Sequence, residues 1–117
     1  MWMYTKHGAY SIVEHDSGNE MVIRTRHRQY LENLMEAAEV SHEIIVTPTR
    51  DYEFRIVVNK ADWEVIGKYL LSSITYPDFK SHLHRSGFFD DSVKETYAIY
   101  TGAYNSYVKN SNSIYAY

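Results

Sequence analysis

The sequence predicts one α+β domain: an antiparallel sheet in the order β-β-β-α-β-β, followed by C-terminal helices. Three observations carry this. Short apolar stretches alternate with turn residues through the N-terminal part of the chain. The apolar period changes from two to that of a helix across Met21-Val-Ile-Arg-Thr-Arg-His-Arg-Gln-Tyr-Leu-Glu-Asn-Leu-Met35. The same change recurs where Tyr52 to Val58 runs into Asn59 and a second helical stripe. Residues 1–109 are assigned to the domain, and 110–117 to a polar tail that ends in aromatics.

Trp2 to Thr5 and Ala9 to His15 read as strands, with Lys6-His7-Gly8 turning between them. Gly8 can supply a positive φ. Tyr10 and Ile12 share one face of the second strand; Ala9, Ser11 and Val13 share the other. His15-Asp-Ser-Gly-Asn-Glu20 is a dense turn signal. In the third strand Met21, Ile23 and Thr25 point one way, and Val22, Arg24 and Arg26 the other.

Leu31, Leu34, Met35 and Ala38 then form a helical stripe, with Thr25 as its N-cap candidate. Glu43 to Val46 is a short strand, and Thr47-Pro-Thr-Arg-Asp51 a loop. In the next strand Tyr52, Phe54, Ile56 and Val58 alternate with Glu53, Arg55 and Val57. Asn59 caps the second helix, with Asp62 in its first turn. That helix buries Trp63, Ile66, Gly67, Leu70 and Ile74, and Gly67 implies a close approach by a neighbouring element. Pro77 suits the first position of a short helix over 78–84, which Ser86-Gly87 ends. Ser92 and Glu95 have capping-box spacing for a last helix. Its seam is Val93, Tyr97, Tyr100, Tyr104 and Tyr107, suited to the sheet or to a second subunit.

Composition narrows the function classes. The net charge is only -3, which argues against a broadly basic nucleic-acid binder. Cysteine is absent, so disulfides, thiolate catalysis and cysteine zinc sites are excluded, and a cytoplasmic setting is expected. No apolar run approaches membrane-spanning length, and no signal-peptide core opens the chain. Tyrosine is abundant, with 12 residues, and is a residue of interfaces and ligand pockets.

No nucleophile elbow, phosphate loop, dinucleotide fingerprint or kinase signature occurs. His7, His15, His27, His42, His82 and His84 make no metal-ligand spacing, so neither a metal nor a cofactor is expected. A scattered histidine and carboxylate can still assemble an acid–base site, His27 near Glu14 or Glu53 being one such pairing.

The stronger signal is a cluster of arginines. Arg24 and Arg26 share a strand face, and Arg55 reaches the same side if its strand joins the sheet. Guanidinium forks match phosphate oxygens, and a nearby tyrosine such as Tyr52 could stack on a base. These four are the candidate ligand-binding residues. The alternative is that the arginines pair across strands with Glu14, Glu20 or Glu53.

Several segments carry a resemblance. They are Trp2 with Thr5, Gly8 before Tyr10-Ser11-Ile12-Val13, Val22-Ile-Arg-Thr-Arg26, Leu31-Glu-Asn-Leu34, Asp51-Tyr52 with Arg55, and Tyr76-Pro-Asp-Phe-Lys80. Together they resemble a family of small bacterial and phage proteins, most of them without an assigned role. The chain is also similar, more distantly, to phage anti-defence proteins that sequester the cyclic ADP-ribose signals of Thoeris. That likeness implies a non-enzymatic homo-oligomer in the host cytosol that holds a cyclic nucleotide and releases it intact. The expectation is therefore a nucleotide-binding, sequestering protein, its ligand a cyclic ADP-ribose derivative or a cyclic oligonucleotide. The alternatives are a single-stranded nucleic-acid-binding domain, a protein-binding inhibitor, and a small acid–base hydrolase.

Overall fold

The computed structural model describes residues 1–85 and, further on, residues 102, 105, 106 and 109. Within them run β1 (Trp2–Thr5), β2 (Gly8–Glu14), β3 (Glu20–Thr25), α1 (Arg28–Ala38), β4 (Ile45–Val46), β5 (Phe54–Asn59), α2 (Lys60–Ser72) and α3 (Phe79–Arg85). The strands form one antiparallel sheet in the order β1-β2-β3-β5-β4. The α+β class and the strand–helix order are those the periodicities predict. The C-terminal seam, its capping box, the Ser86-Gly87 stop and the 110–117 tail lie outside the described residues.

Pleating decides what the sheet buries. Ile12, Ile23 and Ile56 stand side by side on β2, β3 and β5, and all three are buried. α1 covers them with Tyr30, Leu31, Leu34 and Ala38, and α2 with Ile66 and Leu70. Each large aliphatic side chain buried this way contributes about 1.5–3 kcal/mol. Tyr30 was not in the predicted stripe, yet it is only 1% exposed. It lies under the β1–β2 turn, and its carbonyl accepts a hydrogen bond from the Tyr10 hydroxyl at 2.8 Å. Burial, reinforced by Tyr30 and Tyr69, pushes the Tyr10 phenol far above its ordinary range.

Several local expectations are corrected. Thr25 does not cap α1. It stays in β3, fully buried, where its hydroxyl donates to the Ala9 carbonyl at 2.9 Å. His27 takes the cap position without a side-chain bond. β4 is two residues long rather than four: Ile45 and Val46 pair with Arg55 and Phe54 of β5, and Glu43 and Ile44 stay outside the strand. Tyr52 and Glu53 fall outside β5: their carbonyls accept from the Thr47 hydroxyl at 3.2 and 3.1 Å, and the loop holds them.

Asn59 does cap α2, accepting from the Asp62 amide at 2.7 Å. Ile74 lies beyond that helix and is 61% exposed. Gly67 makes no close approach, since a Cβ there would meet nothing within 4 Å. α3 starts at Phe79, so Pro77 is not its first residue; Asp78 precedes it, its carboxylate accepting from the Lys80 amide at 3.1 Å and the Ser81 hydroxyl at 2.6 Å.

The two glycines separate cleanly. At Gly8 φ is +142°, and a Cβ would lie 2.3 Å from Cγ of Tyr30. Gly8→Ala should cost about 2–4 kcal/mol in urea unfolding, whereas Gly67→Ala should add about 0.5–1 kcal/mol from helix propensity. A Gly8→Ala midpoint equal to that of wild type would show that the turn does not sit against Tyr30.

His7 gives a pH dependence. Its Nε2 lies 2.6 Å from the Tyr69 hydroxyl oxygen, tying the β1–β2 turn to α2. Burial, and then the charge on Lys6, lowers its pKa from 6.5. The unfolded chain therefore takes up this proton at a higher pH than the folded one. The stabilisation is complete above the unfolded value and is lost as pH falls toward the folded one. Between about pH 7.5 and about pH 5.5 the thermal midpoint should drop more in wild type than in His7→Gln. An equal drop would mean that His7 titrates alike in both states.

Candidate functional site

The pleat that buries Ile23 turns its neighbours the other way, onto the face opposite α1 and α2. There Arg24 stands directly between Ser11 on β2 and Arg55 on β5. Antiparallel neighbours of this kind are about 5 Å apart at Cα, so two guanidinium side chains run side by side. Arg24 donates to the Ser11 hydroxyl at 2.6 Å. Arg55 donates to the Thr47 hydroxyl and the Tyr52 carbonyl, each at 3.3 Å. The Nε of each arginine is buried without a hydrogen-bond partner among the described residues.

Cross-strand ion pairing does not account for these two side chains. Glu14 is bound to Lys60 at 3.1 Å, and Glu20 faces His15 at 3.8 Å. Among the described residues, neither Arg24 nor Arg55 has a carboxylate partner. Like charges directly opposite one another in a sheet are destabilising. Arg55 registers this: burial, and then the charges of Arg50 and Arg24, hold its guanidinium below its ordinary pKa.

Tyr52 reaches this face by a route the alternation did not predict. Continued back from β5, the pleat would send Tyr52 with Phe54 and Ile56 toward the helices. The loop bonds to Thr47 release it, and its ring meets the guanidinium carbons of Arg24 at 5.1 Å and Arg26 at 4.6 Å. All four candidate residues, Arg24, Arg26, Tyr52 and Arg55, are therefore brought together. The two guanidiniums lie within cation–π range of the Tyr52 ring, which ties Tyr52 to Arg24 and Arg26.

Beside the arginines lies a groove of about 370 Å³. Its floor is the cross-strand row Val13, Val22 and Val57, with Ile45 at one side. One end is cationic, formed by Arg24, Arg50 and Arg55. The other carries Glu14, His15 and Asp16. Arg50 and Asp16 were absent from the sequence-derived set. Both sit in turns between strands, where binding residues concentrate, and that placement was the only signal for them.

His27, His42 and His82 serve local packing. His42 Nε2 lies 2.6 Å from Asp62, fastening the segment after α1 to the start of α2. His27 packs on Tyr30, and His82 stacks on Tyr76 with centroids 4.9 Å apart. His27 bonds to neither Glu14 nor Glu53, so the pairing left open by the sequence is not formed. Among the described residues no three His, Cys, Asp or Glu side chains converge on a common point. No helix among them is long and apolar enough to cross a membrane.

Comparison with protein-family models, with curated proteins and with solved structures finds no match to this chain.

Proposed function

We propose that this chain is a non-catalytic nucleotide-binding protein that sequesters a phosphate-bearing ligand, cyclic nucleotides included. The single observation that carries the reading is the directly opposed pair Arg24 and Arg55, uncompensated by any carboxylate among the described residues. An anion placed between the two guanidiniums converts a repulsion into two charge-assisted contacts. Arg50 lines the same groove and adds to its cationic end. Among the described residues no activated nucleophile and no acid–base pair adjoins Arg24 and Arg55, which favours holding a ligand over transforming it.

One observation supports a second reading. Trp2 lies in the same cross-strand row as Ser11, Arg24 and Arg55, and is 68% exposed. A row of arginines and an exposed aromatic across a sheet also suits a single strand of nucleic acid.

Calorimetric titration separates the two. The probes are pyrophosphate, AMP, cyclic ADP-ribose, cyclic di-AMP and a short single-stranded RNA. Arg24→Ala and Arg55→Ala should each weaken nucleotide binding by roughly ten- to hundredfold, with lysine restoring only part of it. Chromatography should return the nucleotide unchanged. If both alanine variants keep wild-type affinity, the site is elsewhere. A wild type that binds only RNA, with loss in Trp2→Ala, would replace the first reading by the second. A modified nucleotide would identify an enzyme.

A further inference from the structure

The groove has an end that the phosphate contacts leave unused. From Ser11, beside Arg24, to His15 the chain runs four residues, about 13 Å at the rise of a strand. Between these ends the floor is apolar, made of Val13, Val22 and Val57. At the far end the three polar side chains are not equivalent. Glu14 is neutralised by Lys60 at 3.1 Å. The His15 ring accepts from the Ser17 amide at 3.2 Å and meets its hydroxyl at 3.0 Å. Asp16 has no hydrogen-bond or ion-pair partner among the described residues. Asp16 is exposed, on a turn whose backbone closes through the Gly18 amide to the His15 carbonyl at 2.9 Å, with Gly18 at φ +76°. An ionised carboxylate only accepts hydrogen bonds.

We infer that the groove takes a single guanine mononucleotide, with its phosphate on Arg24, Arg50 and Arg55 and its base edge on Asp16. This rests on the nucleotide-binding reading and adds to it the size and the base of the ligand. The volume of about 370 Å³ is near the lower end of the roughly 300–1,000 Å³ of small-molecule sites, which suits one nucleotide unit rather than two. The valine floor takes the sugar and the flat face of the base. Guanine presents two adjacent N–H donors, its ring N1–H and its amino group, which match the two oxygens of one carboxylate. Adenine sets a ring acceptor beside its amino group, and that lone pair faces the carboxylate unfavourably.

The test is calorimetric titration of the full chain with pyrophosphate, AMP and GMP. GMP should bind more tightly than AMP by about tenfold. In Asp16→Asn that preference should vanish, and the ratio of GMP to pyrophosphate affinity should fall by about tenfold. Arg50→Ala should weaken all three probes while the preference for GMP remains. Equal affinity of wild type for AMP and GMP overturns the assignment of the base. So does a GMP preference that survives Asp16→Asn. In both cases the phosphate site stands, provided that Arg24→Ala weakens pyrophosphate. If none of the three probes binds, the phosphate site and the base site fall together.

Discussion

Burial of Ile23 beneath α1 and α2 is the constraint on which the rest of the molecule depends. β3 lies between β2 and β5, so its register is fixed on both sides. Side chains alternate with a period of two, and burying Ile23 and Thr25 forces Arg24 to the opposite face. A slip of one residue would bury an arginine under the helices and expose Ile23. The apolar core thus places a charged residue with no charge acting on it. Because β5 is subject to the same rule through Ile56 and Val58, Arg55 arrives beside Arg24. Two positive charges stand together because two isoleucines do.

Polar ties on the helix side make that placement rigid. Tyr10 bonds to the Tyr30 carbonyl, the β1–β2 turn rests on the Tyr30 ring, and His7 reaches Tyr69 on α2. His42 and Asp62 fasten the segment after α1 to the start of α2. The arginine face is organised differently. Its polar groups come from loops, with Thr47 turning the chain at Tyr52 and Ser17 holding the turn at His15. A stiff scaffold on one side and loop-borne polar groups on the other is a common division of labour for binding sites.

Repulsion between Arg24 and Arg55 is a cost that the fold carries without a neutralising carboxylate among the described residues. Structural arginines on a sheet surface are ordinarily set opposite acidic residues. Here the nearby acids are directed to Lys60 and His15 instead. Sites that leave charge uncompensated in this way are suited to a ligand that brings the opposite charge. A valine floor lies between the cationic and acidic ends of the groove.

The sequence alone determined the order of the strands and of the two central helices, and the faces of the central strand residues. It ran the third strand on to Arg26 and the last back to Tyr52, where the structure bounds them at Thr25 and Phe54. The order and the faces follow from periodicity, which is local: Ile23 against Arg24, Ile56 against Arg55, and the Asn59 cap are all set by neighbours within a few residues. It also nominated Arg24, Arg26, Arg55 and Tyr52, by the chemistry of guanidinium and aromatic groups. Only the tertiary structure decided that Arg24 and Arg55 are direct cross-strand partners, because strand order and register are long-range choices. Tyr52 reaches the arginines only because Thr47 binds its carbonyl and breaks the alternation, a contact that no period encodes. Tyr30 enters the core because the β1–β2 turn has room for a ring above Gly8. Gly67 signalled a close approach that packing does not make. Arg50 and Asp16 lie in turns, where side chains have no period, and they join one groove only when the sheet brings the two turns alongside it.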